Sequence, residues 1–93
     1  MPDWDGATRF EMAEGVSART MAAQVLVLDR NSLDSFGLDE AGARIWQPLV
    51  AGRSADEIVQ GIAAETGADR ATVEADTRAF IDELLDAGLV RPR

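Results

Sequence analysis

The sequence predicts an α+β fold: a three-stranded antiparallel β-sheet followed by a three-helix, winged helix-turn-helix-like unit. Three observations carry this expectation. A β-rich run, Val25 to Leu28, leads into turn chemistry and a second short β-like run. After Leu38 the hydrophobic period becomes helical. From there on, capping residues and glycines divide the chain into three helical stretches.

The elements follow in chain order. Met1 to Gly15 has no steady period and contains Pro2, Gly6 and Gly15. Residues 1–15 are therefore expected to form a flexible N-terminal arm, which Trp4 and Phe10 tack onto a domain spanning residues 16–93. "VSARTM" puts Val16, Ala18 and Thr20 on one side of a first strand. "AQVLVLD" is the second strand, with two candidate faces. "DRNSLDS", Asp29 to Ser35, is a turn, because Asp, Asn and Ser side chains satisfy nearby backbone groups. "SFGL" is a short third strand, and two tight connections in succession make a meander. Gly37 inside it marks a bulge or a place where another backbone approaches closely.

Asp39 is a suitable N-cap for the first helix, whose buried face is Ala43, Ile45, Trp46, Leu49 and Val50. Pro48 is expected to distort its last turn, and Gly52 to end it. "SADE" reads as a capping box, with Ser54 at the N-cap and Glu57 three residues on. Ile58, Val59, Ile62 and Ala63 form the stripe of this second helix, and Gly67 stops it. Asp69 or Thr72 caps the third helix, along which Val73, Thr77, Phe80, Ile81, Leu84 and Leu85 recur at helical steps. Gly88 ends it, and Leu89-Val90 tucks back as an extended tail.

The residue types that are missing limit the chemistry. The chain has no cysteine, histidine, tyrosine or lysine, and all 9 of its basic residues are arginine. Disulfides, thiol catalysis and thiolate metal sites are excluded. So are histidine-based nucleophilic catalysis, Schiff-base chemistry and a Walker-type phosphate loop. Neighbouring carboxylates such as Asp82 and Glu83 point to different helix faces, so they do not converge as an acid–base pair. Neither an enzyme, a cofactor nor a metal site is expected. The net charge of −8 disfavours nucleic acid and anionic membrane as partners. No apolar run approaches the roughly 18–20 residues of a membrane span, and the acidic N-terminus lacks a signal pattern, so a cytoplasmic location is expected.

Three segments together carry a resemblance: "LDEAGARIW", "LVAGRSADEIV" and "TVEADTRAFIDELLDAGLV". Their order and spacing resemble the PqqD-like domains, also known as RiPP recognition elements. The pattern is met by Leu38, Gly42, Ile45, Trp46, Gly52, Ser54, Glu57, Ile58, Asp76, Leu84, Gly88, Leu89 and Val90. The resemblance covers Val16 to Val90. The chain departs from it at Asp39, where the family has Asn, and at Phe36, where lasso-peptide members have Tyr. A Tyr-Pro-Glu-Gly-like segment of the coenzyme-PQQ branch is missing, which leans the resemblance toward peptide natural products, the lasso-peptide branch first.

Such domains bind the leader segment of a ribosomally made precursor peptide. They present it in trans to a processing enzyme, either a leader peptidase or a radical enzyme. The leader adds as a strand beside the third β-strand, in a cleft against the third helix. The resemblance thus implies a peptide-binding site at Leu33, Ser35, Phe36, Gly37, Leu38, Val73, Asp76, Thr77 and Phe80. Each has a plainer reading beside it. Val73, Thr77 and Phe80 at helical spacing suit a core, Phe36 can face either way, and Asp76 suits an ion pair with Arg19 or Arg44.

Two other functions fit the outline. A winged-helix DNA-binding regulator would read DNA with the third helix. From Asp69 to Gly88, however, Asp69, Glu74, Asp76, Asp82, Glu83 and Asp86 stand against only Arg70 and Arg78, a net −4 that repels phosphate. A generic protein-interaction adaptor using the same open strand is the other alternative.

Overall fold

The computed structural model describes residues 4–93 and has the order β1 (Phe10–Met12), β2 (Val16–Met21), β3 (Gln24–Asp29), β4 (Asp34–Leu38), α1 (Glu40–Val50), α2 (Ala55–Thr66), α3 (Arg70–Asp86), β5 (Val90–Pro92). Met1 to Asp3 of the expected arm, Pro2 among them, lie outside the described residues. The α+β class, the three-stranded antiparallel sheet and the three helices stand as the sequence predicts.

β2, β3 and β4 form the meander in that order. Val25 and Val27 face inward and are buried. Their cross-strand partners Leu38 and Phe36 share that face and are half-buried. Leu26 and Leu28 point to the opposite face, with Gly37 and Ser35 beside them. The β2–β3 connection is the tight pair Ala22-Ala23, with Ala22 at φ 55°.

The helices bury most of their expected stripes, with Val50, Ile62, Ala63, Phe80 and Leu85 only half-buried. In α1, Asp39 Oδ1 accepts from the Gly42 N–H at 2.9 Å, and Ala43, Ile45, Trp46 and Leu49 are buried. The helix continues past Pro48 to Val50. Gly52 follows at φ +96°, where a side chain would be strained and would meet the Arg93 guanidinium. The Ser54–Glu57 capping box forms in both directions, at 3.2 Å and 2.9 Å. For α3, Asp69 is the N-cap residue, while Thr72 lies inside the helix and donates to Asp69 Oδ2. Thr72 is therefore not the cap.

In the N-terminal segment, Trp4 and Phe10 lie in the hydrophobic core. Phe10 is fully buried and Trp4 is 7% exposed, their rings edge to face at 5.5 Å. β1 pairs antiparallel with β5, so the extended tail at Leu89-Val90 supplies the strand that fixes it. Further ties run from Asp56 N–H to Gly6 carbonyl at 2.9 Å, and from Trp4 Nε1 to Asp82 at 3.0 Å. The Arg78 guanidinium lies over the Trp4 ring at 5.3 Å. Sequence-local cues miss this because a three-residue strand has no period, and its partner lies 80 positions away.

Candidate functional site

The sheet leaves β4 as an edge, paired on one side only. Its polarity follows from the β2–β3 hairpin. The Ala22-Ala23 connection closes on the Met21–Gln24 pair, so Gln24 turns its main-chain groups toward β2. Alternation then turns Val25, Val27 and Asp29 toward β4, onto Leu38, Phe36 and Asp34. Ser35 and Gly37 are left with their N–H and C=O groups on the free edge. An unpaired edge of this kind templates an incoming strand.

Gly37 sits in regular register with Leu26, without a bulge, and a side chain added there would meet nothing. The bulge reading of this glycine is therefore corrected.

At its C-terminal end β4 meets two helices. A Cβ built on Gly42 of α1 would lie 3.4 Å from Leu38 Cβ and 3.4 Å from the tip of the Phe80 ring. Gly42 thus lets α1 sit close enough for β4, α1 and α3 to converge. Beside this point a groove of about 360 Å³ opens between α1 and α3. Its walls are Glu40, Ala41, Arg44 and Ile45 of α1, Ile62 of α2, and Val73, Asp76 and Thr77 of α3. Arg44 pairs with Glu40 at 3.1 Å rather than with Asp76. α3 presents this face because Arg78 and Asp82, on the far side of the helix, are held by Trp4.

The expected site residues fall into three places. Ser35, Phe36, Gly37 and Leu38 lie on the edge strand. Val73, Asp76 and Thr77 line the α1–α3 groove, and Phe80 reaches the Leu38 junction. Leu33 stands apart, in the β3–β4 turn, and is 87% exposed. Reading the sequence missed Glu40, Ala41, Arg44, Ile45 and Ile62 as groove walls. The i, i+4 pairs Glu40/Arg44 and Ala41/Ile45 mark two adjacent rows of α1, but nothing local says that α3 faces them. A second groove, of about 510 Å³, lies between α1 and α2, lined by residues such as Gln47, Pro48, Arg53 and Gly61. Among the described residues, no cluster of carboxylates is placed to hold a metal ion. Among them, too, no helix is long and apolar enough to cross a membrane.

Residues 24–90 match the PqqD family, described as coenzyme PQQ synthesis protein D. The chain belongs to the PqqD family. The matched span contains β3, β4, all three helices and the start of β5. Two solved structures share this PqqD fold over nearly the whole chain. One is TbiB1 in complex with the TbiA(beta) leader peptide, 36% identical, with a TM-score of 0.83 over 87% of this chain and 94% of that one. The other is lasso peptide synthetase B1 complexed with the leader peptide, 25% identical, with a TM-score of 0.83 over 90% of this chain and 99% of that one. No curated protein matches the chain.

Proposed function

We propose that this domain binds the leader segment of a ribosomally synthesised precursor peptide by β-strand addition and delivers it to a maturation enzyme in trans. The observation that carries the reading is the free edge of β4, with Ser35 and Gly37 main-chain groups directed outward beside α3. Main-chain pairing supplies affinity, and side-chain pockets supply selectivity. The TbiB1 and lasso peptide synthetase B1 structures, both solved with leader peptides, support it and favour a lasso-peptide leader peptidase over a radical enzyme as the recipient. The domain acts as a non-catalytic adaptor. A DNA-binding role is disfavoured, since the acidic α3 suits a peptide cleft better than a phosphate backbone.

The test is a titration of the domain with a synthetic leader from a precursor gene adjacent to its own. Saturable binding is expected. Gly37→Pro removes one outward N–H and leaves the bonds to β3 in place, so the fold persists while affinity falls at least tenfold. Phe36→Asp weakens binding as well, by placing a charge on the half-buried face of the edge strand. Leader affinity unchanged in a folded Gly37→Pro protein rules out strand addition at β4.

A further inference from the structure

The N-terminal segment holds α3 from behind. Trp4 Nε1 donates to Asp82 Oδ1 at 3.0 Å, and the Arg78 guanidinium lies 5.3 Å from the centre of the Trp4 ring. The other side-chain bonds of α3 stay within its own segment: Thr72 donates to Asp69, and Arg78 pairs with Glu74. Among the described residues, Trp4 is therefore the one partner that ties α3 to another element by a side-chain hydrogen bond or ion pair. Asp82 stands roughly half a turn around the helix from Val73 and Phe80, on the side away from β4 and the groove. Trp4 is itself anchored by Phe10, the first residue of β1, and β1 pairs with β5 just beyond the end of α3. The Ala13 N–H adds a bond to the Leu89 carbonyl at 3.0 Å. The segment thus grips α3 along its outer side and at its C-terminal exit. On the inner side, Phe80 approaches Gly42, while at Val73 the groove separates α3 from α1 and leaves the helix room to shift. Trp4, Phe10 and β1 all precede the residues 24–90 that match the family.

We infer that Trp4 is a positioning residue: through Asp82 and Arg78 it fixes the spacing of α3 from β4 in the free protein, and so sets the affinity for a strand bound between them without meeting that strand. The inference rests on the function proposed above for the identity of the bound strand, whereas the hold on α3 is a property of the free domain. A helix already in place spares the ligand the cost of ordering it. A helix that wanders lowers the apparent affinity by the fraction of time it is out of place. The indole N–H is the specific part of the hold. Phenylalanine keeps an apolar ring against Phe10 but has no hydrogen to donate to Asp82.

The test uses the full chain as wild type, Trp4→Phe, Asp82→Ala, the two combined, and Asp82→Asn, whose amide oxygen still accepts from the indole. All measurements are made well below the melting temperature of each variant. The chain has no cysteine, so nitroxides can be placed singly at Arg30→Cys, in the β3–β4 turn, and at Ala75→Cys, on the exposed side of α3. Pulsed electron resonance then reads the spacing of sheet and helix without ligand. One narrow distance is expected in wild type and Asp82→Asn, and a distribution about twice as wide in Trp4→Phe, Asp82→Ala and the double variant. Affinity for the synthetic leader is expected to fall about fivefold in those same three, the size of one net hydrogen bond, and to be kept in Asp82→Asn. An equal loss in the double and single variants marks one shared interaction. Distances that stay narrow in Trp4→Phe overturn the inference. So does leader affinity that ignores the broadening, or losses that multiply in the double variant or persist in Asp82→Asn. A broadened distance in Trp4→Phe together with no leader binding in wild type strikes the proposed function and leaves the hold on α3 standing.

Discussion

Leu33 combines two unfavourable features in one residue. Its side chain is 87% exposed and its φ is 63°, a left-handed conformation that leucine rarely adopts. Strain of this kind persists where the surroundings or a function require it. Asparagine tolerates the same backbone at less cost, so Leu33→Asn is expected to stabilise the free domain by about 1 kcal/mol, read as a rise of about 4–8 °C in melting temperature. If Leu33 belongs to the peptide site, the same substitution lowers leader affinity, and calorimetry on one protein reads both effects. At this scale the sequence is informative where one residue type has one physical use. Asp39 and Ser54 cap as their chemistry requires, and Val73 and Thr77, one turn apart, share the groove wall. What it hides is the company a residue keeps. Thr77 sits in the sequence as one more small residue on a helical stripe, while the fold buries its hydroxyl without a partner among the described residues.

Among the elements, the helices and the meander were legible because each has its own period and its own stops. The turn chemistry at Ala22-Ala23 was not, since alanine carries no turn signal, although the flanking strands mark a tight connection there; Ala22 takes φ 55°. Nor was the β1–β5 ribbon, whose strands are joined only by packing at long range. Arg9, just before β1, ties that ribbon to the α1–α2 connection and to the first turn of α2. Arg9 donates to the Gly52 carbonyl at 2.6 Å and pairs with Glu57 at 2.8 Å, and Arg53 lies 3.5 Å from the same side chain. The Ser54 backbone N–H holds the Glu57 carboxyl below the ordinary carboxylate range, partial burial opposes this, and the Arg9 charge adds to the lowering. A lowered folded-state pKa means that Glu57 contributes its full stabilisation above the unfolded value, near pH 4.5. The contribution is lost as pH falls through the lower, folded value. Wild type is therefore expected to lose melting temperature more steeply than Glu57→Gln between about pH 5 and pH 3, while Glu57→Gln is the less stable protein at pH 7. Parallel melting curves for the two proteins across that range would show that the cap carries no pH-dependent stability.

The whole molecule is flat, 37 × 33 × 18 Å, with a sheet that stops at an open edge and a body charge of −8. Both properties bear on what it binds. A leader added to β4 as proposed would cover half-buried Phe36 and Leu38, and by binding the native state with no comparable grip on the unfolded chain it would stabilise the fold. Mass action then sets the size of the effect: leader at about 100 times its dissociation constant adds ~2.7 kcal/mol, which in a domain of this size raises the melting temperature by about 10–20 °C. The Gly37→Pro protein at the same leader concentration should rise by much less, because its edge lacks one donor. Duplex DNA at low salt should leave the melting temperature where it is, since condensed phosphate charge meets an α3 segment that is itself acidic. A thermal scan across these conditions separates the readings in one experiment. A shift with leader that Gly37→Pro abolishes identifies the strand edge as the site. A shift that Gly37→Pro retains moves the site to the grooves, and a shift with DNA instead of leader would return the three-helix unit to a nucleic-acid role despite its charge.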